Sequence, residues 1–158
     1  MQCLLAVDLG VRTGFALYDS DGKLLWYRSR NYGNKYRLRG DIQNMLSQIP
    51  FLSVVILEGG GDIARIWLKE CQRRNLKFIQ IYAEDWRKDL FNPKDFRTGE
   101  QAKLSAIRLA KKIISQCSGP KPTSMLDDAA EAILIGYWGV HLKRSMDLRT
   151  EEQSNFDF

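Results

Sequence analysis

The chain has 158 residues, 44% hydrophobic and 27% charged, enough for one domain with a real core. No apolar run approaches the roughly 18 residues that a membrane-spanning helix needs, and Met1-Gln2-Cys3 leads straight into strand-like sequence, so neither a membrane span nor a secretory leader is expected. A net charge of +5 and a pI near 9.2 favour a polyanionic partner, while three cysteines (Cys3, Cys71 and Cys117) without ligand spacing argue against a disulfide framework or a zinc site.

Cys3 to Leu9 reads as a buried strand and Gly14 to Asp19 as a second. Ser20-Asp21-Gly22-Lys23 is a hairpin signal leading into a third strand, Leu24 to Arg30. A loop follows at Asn31 to Asn34. Leu38, Ile42, Met45, Leu46 and Ile49 then recur at helical spacing and predict a helix over Tyr36 to Ile49, closed by Pro50. Leu52 to Leu57 is continuously apolar, as a central strand covered on both faces must be.

Gly59-Gly60-Gly61 breaks the chain, and Ile63, Ile66, Trp67 and Cys71 mark a helix ending near Asn75. Phe78 to Ala83 reads as a fifth strand, and Glu84 to Gly99 as an irregular, polar, basic loop. Ala102 to Cys117 is an amphipathic helix with Ala106, Ile107, Ala110, Ile113, Ile114 and Cys117 on its apolar face. Gly119-Pro120-Lys121-Pro122 reads as a linker. Ser124 is positioned to cap a last helix, apolar nearly all round, that runs to about Leu142. One domain over residues 1–142 and a flexible charged tail over 143–158 are expected.

The order β-β-β-α-β-α-β-α-α predicts an α/β fold, a five-stranded mixed sheet with helices on both faces. If the first three strands form a meander, strand one keeps a free edge on which the Leu52–Glu58 strand pairs in parallel. The strand order is then 3-2-1-4-5, with the switch point between strands one and four. Open α/β sheets gather ligands at the carboxyl ends of such strands, and Asp8 and Glu58 lie at those two ends.

Each acid has an ordinary reading. Asp8 can make a turn with Gly10, Glu58 can favour the N-terminus of the next helix, and Asp127 and Asp128 suit a first helical turn after Ser124. Glu131 is harder to dismiss, because it lies inside Ala129-Ala130-Glu131-Ala132-Ile133-Leu134-Ile135, and a buried Glu needs a partner. Asp127 and Glu131 are i, i+4, and Asp128 and Glu131 are i, i+3. Either pair on one face destabilises a helix unless a cation lies between them or one is protonated. Oxygen-only ligands favour Mg²⁺ or Mn²⁺ over zinc. Acids converging from distant segments of a basic chain point to metal-assisted work on a phosphodiester.

The basic residues divide into two stretches. Residues 23 to 39 hold Lys23, Arg28, Arg30, Lys35, Arg37 and Arg39, interleaved with Trp26, Tyr27, Tyr32 and Tyr36, a composition suited to phosphate contact and base stacking. It equally suits a strand edge guarded by charge, with core-facing aromatics. The stretch from Trp86, Arg87 and Lys88 to Lys94 and Arg97, with Phe91 and Phe96, reads as a DNA-contacting loop in which a Phe can wedge between bases, or as a surface loop with anchoring aromatics. Arg12 and Thr13 follow Asp8 closely enough to touch a scissile phosphate. His141, near the end of the last helix, is given no role.

Leu5-Ala6-Val7-Asp8-Leu9-Gly10-Val11-Arg12-Thr13-Gly14-Phe15-Ala16-Leu17 resembles the opening strand and hairpin of RNase H-like nucleases of the RuvC type, the Holliday junction resolvases. Val55-Ile56-Leu57-Glu58 is similar to the family's second acidic strand, and Trp86-Arg87-Lys88 to a Trp-basic segment after its fifth strand. Asp127-Asp128-Ala129-Ala130-Glu131-Ala132-Ile133-Leu134-Ile135 resembles the terminal helix of phage and plant-organelle relatives, where an Asp and an acid four residues later face the metals. Bacterial RuvC has its acids three apart, which maps to Asp128 and Glu131. The resemblance thus assigns Asp8, Glu58, Glu131 and Asp127 as catalytic and metal-binding, with Asp128 as the alternate to Asp127. One departure is that bacterial RuvC carries an aromatic wedge soon after its second acid, where this chain has Gly59-Gly60-Gly61-Asp62.

The resemblance implies an RNase H-like domain and a homodimeric endonuclease that nicks branched DNA, above all four-way junctions, symmetrically. It implies two Mg²⁺ ions per active site, replaceable by Mn²⁺, about 3.5–4 Å apart. The nucleic-acid contacts expected are Arg12, Thr13, Arg30, Lys35, Arg37, Trp86, Arg87 and Lys88. Location in the cytoplasm or nucleoid is expected, or in an organelle if a transit peptide has been removed. A ribosomal-RNA maturation nuclease of the same fold and a catalytically idle nucleic-acid-binding module are the competing readings.

Overall fold

The computed structural model describes residues 1–10, 12–117 and 127–142, with the side chains of Lys35, Tyr36 and Asp127 left out of the description. In chain order the elements are β1 (Cys3–Asp8), β2 (Arg12–Asp19), β3 (Leu24–Asn31), α1 (Lys35–Gln48), β4 (Leu52–Glu58), α2 (Gly61–Arg73), β5 (Lys77–Ile81), α3 (Ala83–Leu90), α4 (Gly99–Ser115) and α5 (Asp127–Tyr137). A 3₁₀ turn, Pro93–Phe96, precedes α4, and a π-helical turn, Trp138–Leu142, continues α5. The proposed linker, Ser124 and the tail from Lys143 lie outside the described residues. Among those described, no helix is long and apolar enough to cross a membrane.

The five strands form one sheet in the order β3-β2-β1-β4-β5, the order expected from connectivity. β1 is antiparallel to β2 and parallel to β4, β3 closes the meander, and β5 extends the sheet in parallel beyond β4. Because strand side chains alternate between faces, the apolar runs of β1 and β4 feed two cores. Leu4, Ala6, Val54 and Ile56 pack under α4 and α5, whereas Leu5, Val7, Val55 and Leu57 pack under α1 and α2. The same alternation carries Asp8 and Glu58 onto the α5 side.

The register lines up one row of residues across the sheet. Ser29 pairs with Gly14, Gly14 with Asp8, Asp8 with Glu58, and Glu58 with Ile81. At Gly14 a β-carbon would run into the backbone carbonyl of Asp128, so only glycine lets the start of α5 rest directly on β2. A β-carbon at Gly136 would strike the Tyr18 ring at the other end of the helix. Between these two close approaches, the Tyr18 hydroxyl donates to the Ile133 carbonyl at 2.7 Å.

The stretch from Glu84 to Gly99 departs from expectation. It is ordered as α3 and the 3₁₀ turn, and Ala83 begins the helix instead of ending the strand. Short-range acids start both elements. Asp85 accepts the Tyr82 backbone N–H at 2.7 Å, and Asp95 accepts that of Asn92 at 3.1 Å. With Trp86 and Leu90 its inward-facing apolar residues, a helix of 8 residues shows too little periodicity to stand out among its charges.

Candidate active site

Three backbone elements deliver the acids. Asp8 ends β1, Glu58 ends β4, and Glu131 sits one turn into α5, where the glycine contact at Gly14 brings the helix down over the strand ends. One carboxylate oxygen from each of Asp8, Glu58 and Glu131 lies within 4.8 Å of the other two. Asp128 joins from the first turn of α5. Its Oδ2 accepts the Ser29 hydroxyl, and its charge bears on Asp8. The side chain of Asp127 lies outside the described residues. Of the two candidates in that turn, Asp128 is the one whose side chain is described.

The electrostatics are those of crowded anions. Burial, then the negative charges of Glu131, Glu58 and Asp128, push the Asp8 carboxyl up to about 9, with Arg87 offsetting only part of the effect. Burial also raises Glu58, held back by the indole N–H of Trp86 and the guanidinium of Arg87 and pushed further by Glu131 and Glu84. A cluster of this kind is stabilised by protons or by a hard cation. Its donors are all carboxylate oxygens, with no thiolate or imidazole in the set, which fits Mg²⁺ or Mn²⁺.

Two residues of α3 support the acids. Trp86 donates Nε1–H to Glu58 Oε2 at 2.5 Å, and Arg87 Nη2 donates to Glu131 Oε1 at 2.9 Å. Trp86 is 0% exposed, with Phe91 against its ring edge. It is therefore a support beneath the carboxylates and not an exposed base-stacking side chain. Thr13, at 3% exposure, points into the α1/α2 side of the sheet, away from Asp8. Arg12, Arg30, Arg37 and Lys88 are exposed. The Lys35 side chain lies outside the described residues.

The described aromatic residues of the 23–39 stretch, Trp26, Tyr27 and Tyr32, face inward. Trp26 packs on the α1/α2 core beneath Arg28, whose guanidinium lies 3.9 Å from its ring centre, Tyr27 packs on the α4/α5 core, and Tyr32 meets Phe15 edge-on. His141 lies 3.1 Å from the Gly22 carbonyl and packs against Tyr137, at a distance from the acids along the fold. Ser29 was not foreseeable as a site residue from composition. Strand alternation plus the Gly14 register would have placed it in the acidic row.

No protein-family model matches the sequence, and no curated protein matches it at a significant level. Solved structures do. The fowlpox virus Holliday junction resolvase is similar with a TM-score of 0.66 at 18% identity, over 85% of this chain and 95% of the resolvase chain. The fowlpox virus resolvase in complex with its substrate Holliday junction DNA is similar with a TM-score of 0.59 at 17% identity, over 94% of this chain and 99% of that one. At such identities the likeness is one of architecture, and the five-stranded sheet with its flanking helices is the RNase H-like fold of that resolvase.

Proposed function

We propose that the protein is a Mg²⁺-dependent, structure-selective DNA endonuclease that resolves four-way junctions by paired symmetric nicks, acting as a homodimer. The observation that carries this reading is the convergence of Asp8, Glu58 and Glu131 from three separate segments within 4.8 Å at the carboxyl end of an RNase H-like sheet. A bound pair of Mg²⁺ ions, or Mn²⁺ in their place, supplies activation of water and stabilisation of the leaving oxygen. Asp8, Glu58 and Glu131, with Asp128 or Asp127 from the first turn of α5, hold the ions. No side-chain nucleophile is needed. Arg12, Arg30, Arg37, Lys35 and Lys88 bind phosphates along the strand-end surface.

The test is incubation of an end-labelled four-way DNA junction with Mg²⁺, with structured RNA and linear duplex as parallel substrates. Wild-type protein should produce paired symmetric nicks in the junction. Asp8→Asn and Glu131→Gln should lose at least about 100-fold in rate, given the several kcal/mol that metal-assisted catalysis supplies, while still retarding the junction in gels. Equal cleavage by Asp8→Asn would refute the site, and cleavage confined to RNA would reassign the substrate. Light scattering should give twice the chain mass.

A further inference from the structure

Consecutive residues of one short helix reach two different carboxylates. Trp86 donates to Glu58 at 2.5 Å and Arg87 to Glu131 at 2.9 Å. A third bond, from Trp138 Nε1–H to Asp89 Oδ2 at 2.7 Å, ties the far end of α3 to the turn that follows α5. α3 is thus fastened both to the strand that carries Glu58 and to the helix that carries Glu131. The two supports differ in kind. The indole is neutral, fully buried and rigid, with one donor. The guanidinium is a quarter exposed, positively charged and offers several donors in a planar fork.

We infer that Trp86 and Arg87 are positioning residues with opposite effects on cation affinity, an inference that rests on the metal-dependent reading above. Trp86 takes one oxygen of Glu58, fixes the rotamer of a long side chain and leaves the second oxygen free to ligate, so it strengthens binding. Arg87 is a tethered positive charge on Glu131. A divalent cation must share that carboxylate with it and is repelled by it, so Arg87 weakens binding while offsetting part of the charge of the cluster. A purely structural role would give the two residues effects of the same sign.

The experiment is titration of the substrate-free protein with Mn²⁺ at fixed pH, following free Mn²⁺ by electron paramagnetic resonance and heat by calorimetry. Near-ultraviolet circular dichroism confirms the fold of each variant. Trp86→Phe keeps a ring but loses the donor, and should weaken Mn²⁺ binding ~10-fold or more, the usual effect of losing a hydrogen bond to a ligand. Arg87→Gln should tighten binding several-fold, and Arg87→Lys, which keeps the charge, should stay near wild type. Asp8→Asn tests the site itself: if it binds Mn²⁺ as wild type does, the metal-dependent reading falls. If Asp8→Asn loses binding but Arg87→Gln weakens it or leaves it unchanged, the site stands and the role given to Arg87 is wrong. Unchanged binding in Trp86→Phe overturns the role of the indole. Should that variant not fold, the Arg87 pair decides, because charge repulsion predicts a rise that no packing role produces.

Discussion

Asp8 concentrates the crowding of the acidic site in a single carboxyl. Its carboxyl is raised to about 9 by burial and neighbouring acids, so the folded state keeps a proton that the unfolded chain releases near pH 4. The folded state binds more protons than the unfolded state between roughly pH 4 and pH 9, so stability falls as pH rises through that window. On the metal-dependent reading, a divalent cation held by Asp8 would replace the proton and remove the loss. Thermal unfolding should therefore show little stabilisation by Mg²⁺ near pH 5 and a much larger one near pH 8. Asp8→Asn should flatten the pH dependence and be more stable than wild type in metal-free buffer at about pH 8, the usual exchange of activity for stability. Scanning calorimetry at these pH values checks both. A Mg²⁺ effect of the same size at every pH would show that Asp8 is not the group that exchanges a proton for the ion.

At the scale of elements, the decisive contact is α5 on β2. With the Asp128 carbonyl resting over Gly14, any side chain there pushes the first turn of α5 outward and carries Asp128 and Glu131 away from Asp8. Gly14→Ala should destabilise the protein by about 1–3 kcal/mol, as overpacking does, and cost cleavage more than stability alone explains. Gly40 is the control. It lies exposed inside α1 with open space where a β-carbon would go, so Gly40→Ala should stabilise by about 1 kcal/mol. Urea denaturation midpoints distinguish the two. Much at this scale was legible in the sequence. The long apolar runs of β1 and β4 and the periodic faces of α1, α2 and α4 announce themselves, and connectivity alone orders the sheet. α3 was not legible, because its apolar positions are too few to show a period. Its consequence was hidden with it: Trp86 and Arg87 read as a basic, aromatic surface, yet the helix turns the indole inward onto Glu58. The convergence of Asp8, Glu58 and Glu131 is legible because a carboxylate at the end or in the midst of an apolar run has a cost that the sequence exposes. Ser29 was missed because its role depends on register, which no local pattern states.

Across the whole molecule, the topology places every candidate contact at one end of the sheet. β2 begins where β1 ends, β3 finishes there, and α1 follows at once, so Arg12 and Arg30 lie at the end of the sheet that carries Asp8, Arg30 on the α1/α2 face with its register partner Thr13, and Arg37 follows in the first turn of α1. α3 leaves β5 at the same end and brings Lys88. On the nuclease reading proposed above, a basic rim around an acidic centre would solve a problem for a protein that cuts a polyanion: the rim would supply the attraction, and the centre would supply ligands without having to attract the phosphate unaided. Binding and cleavage should then separate by mutation. Replacing Arg12, Arg30 or Arg37 by Ala should lower junction affinity and reduce the slope of log K against log salt by about 0.9 for each phosphate no longer neutralised. Mn²⁺ binding at the carboxylates should be unaffected. The acid variants should do the reverse, keeping the salt slope and losing the ion. Fluorescence anisotropy of a labelled junction between roughly 50 and 200 mM salt measures the slopes. An unchanged slope in all three arginine variants would place the nucleic-acid path elsewhere on the surface.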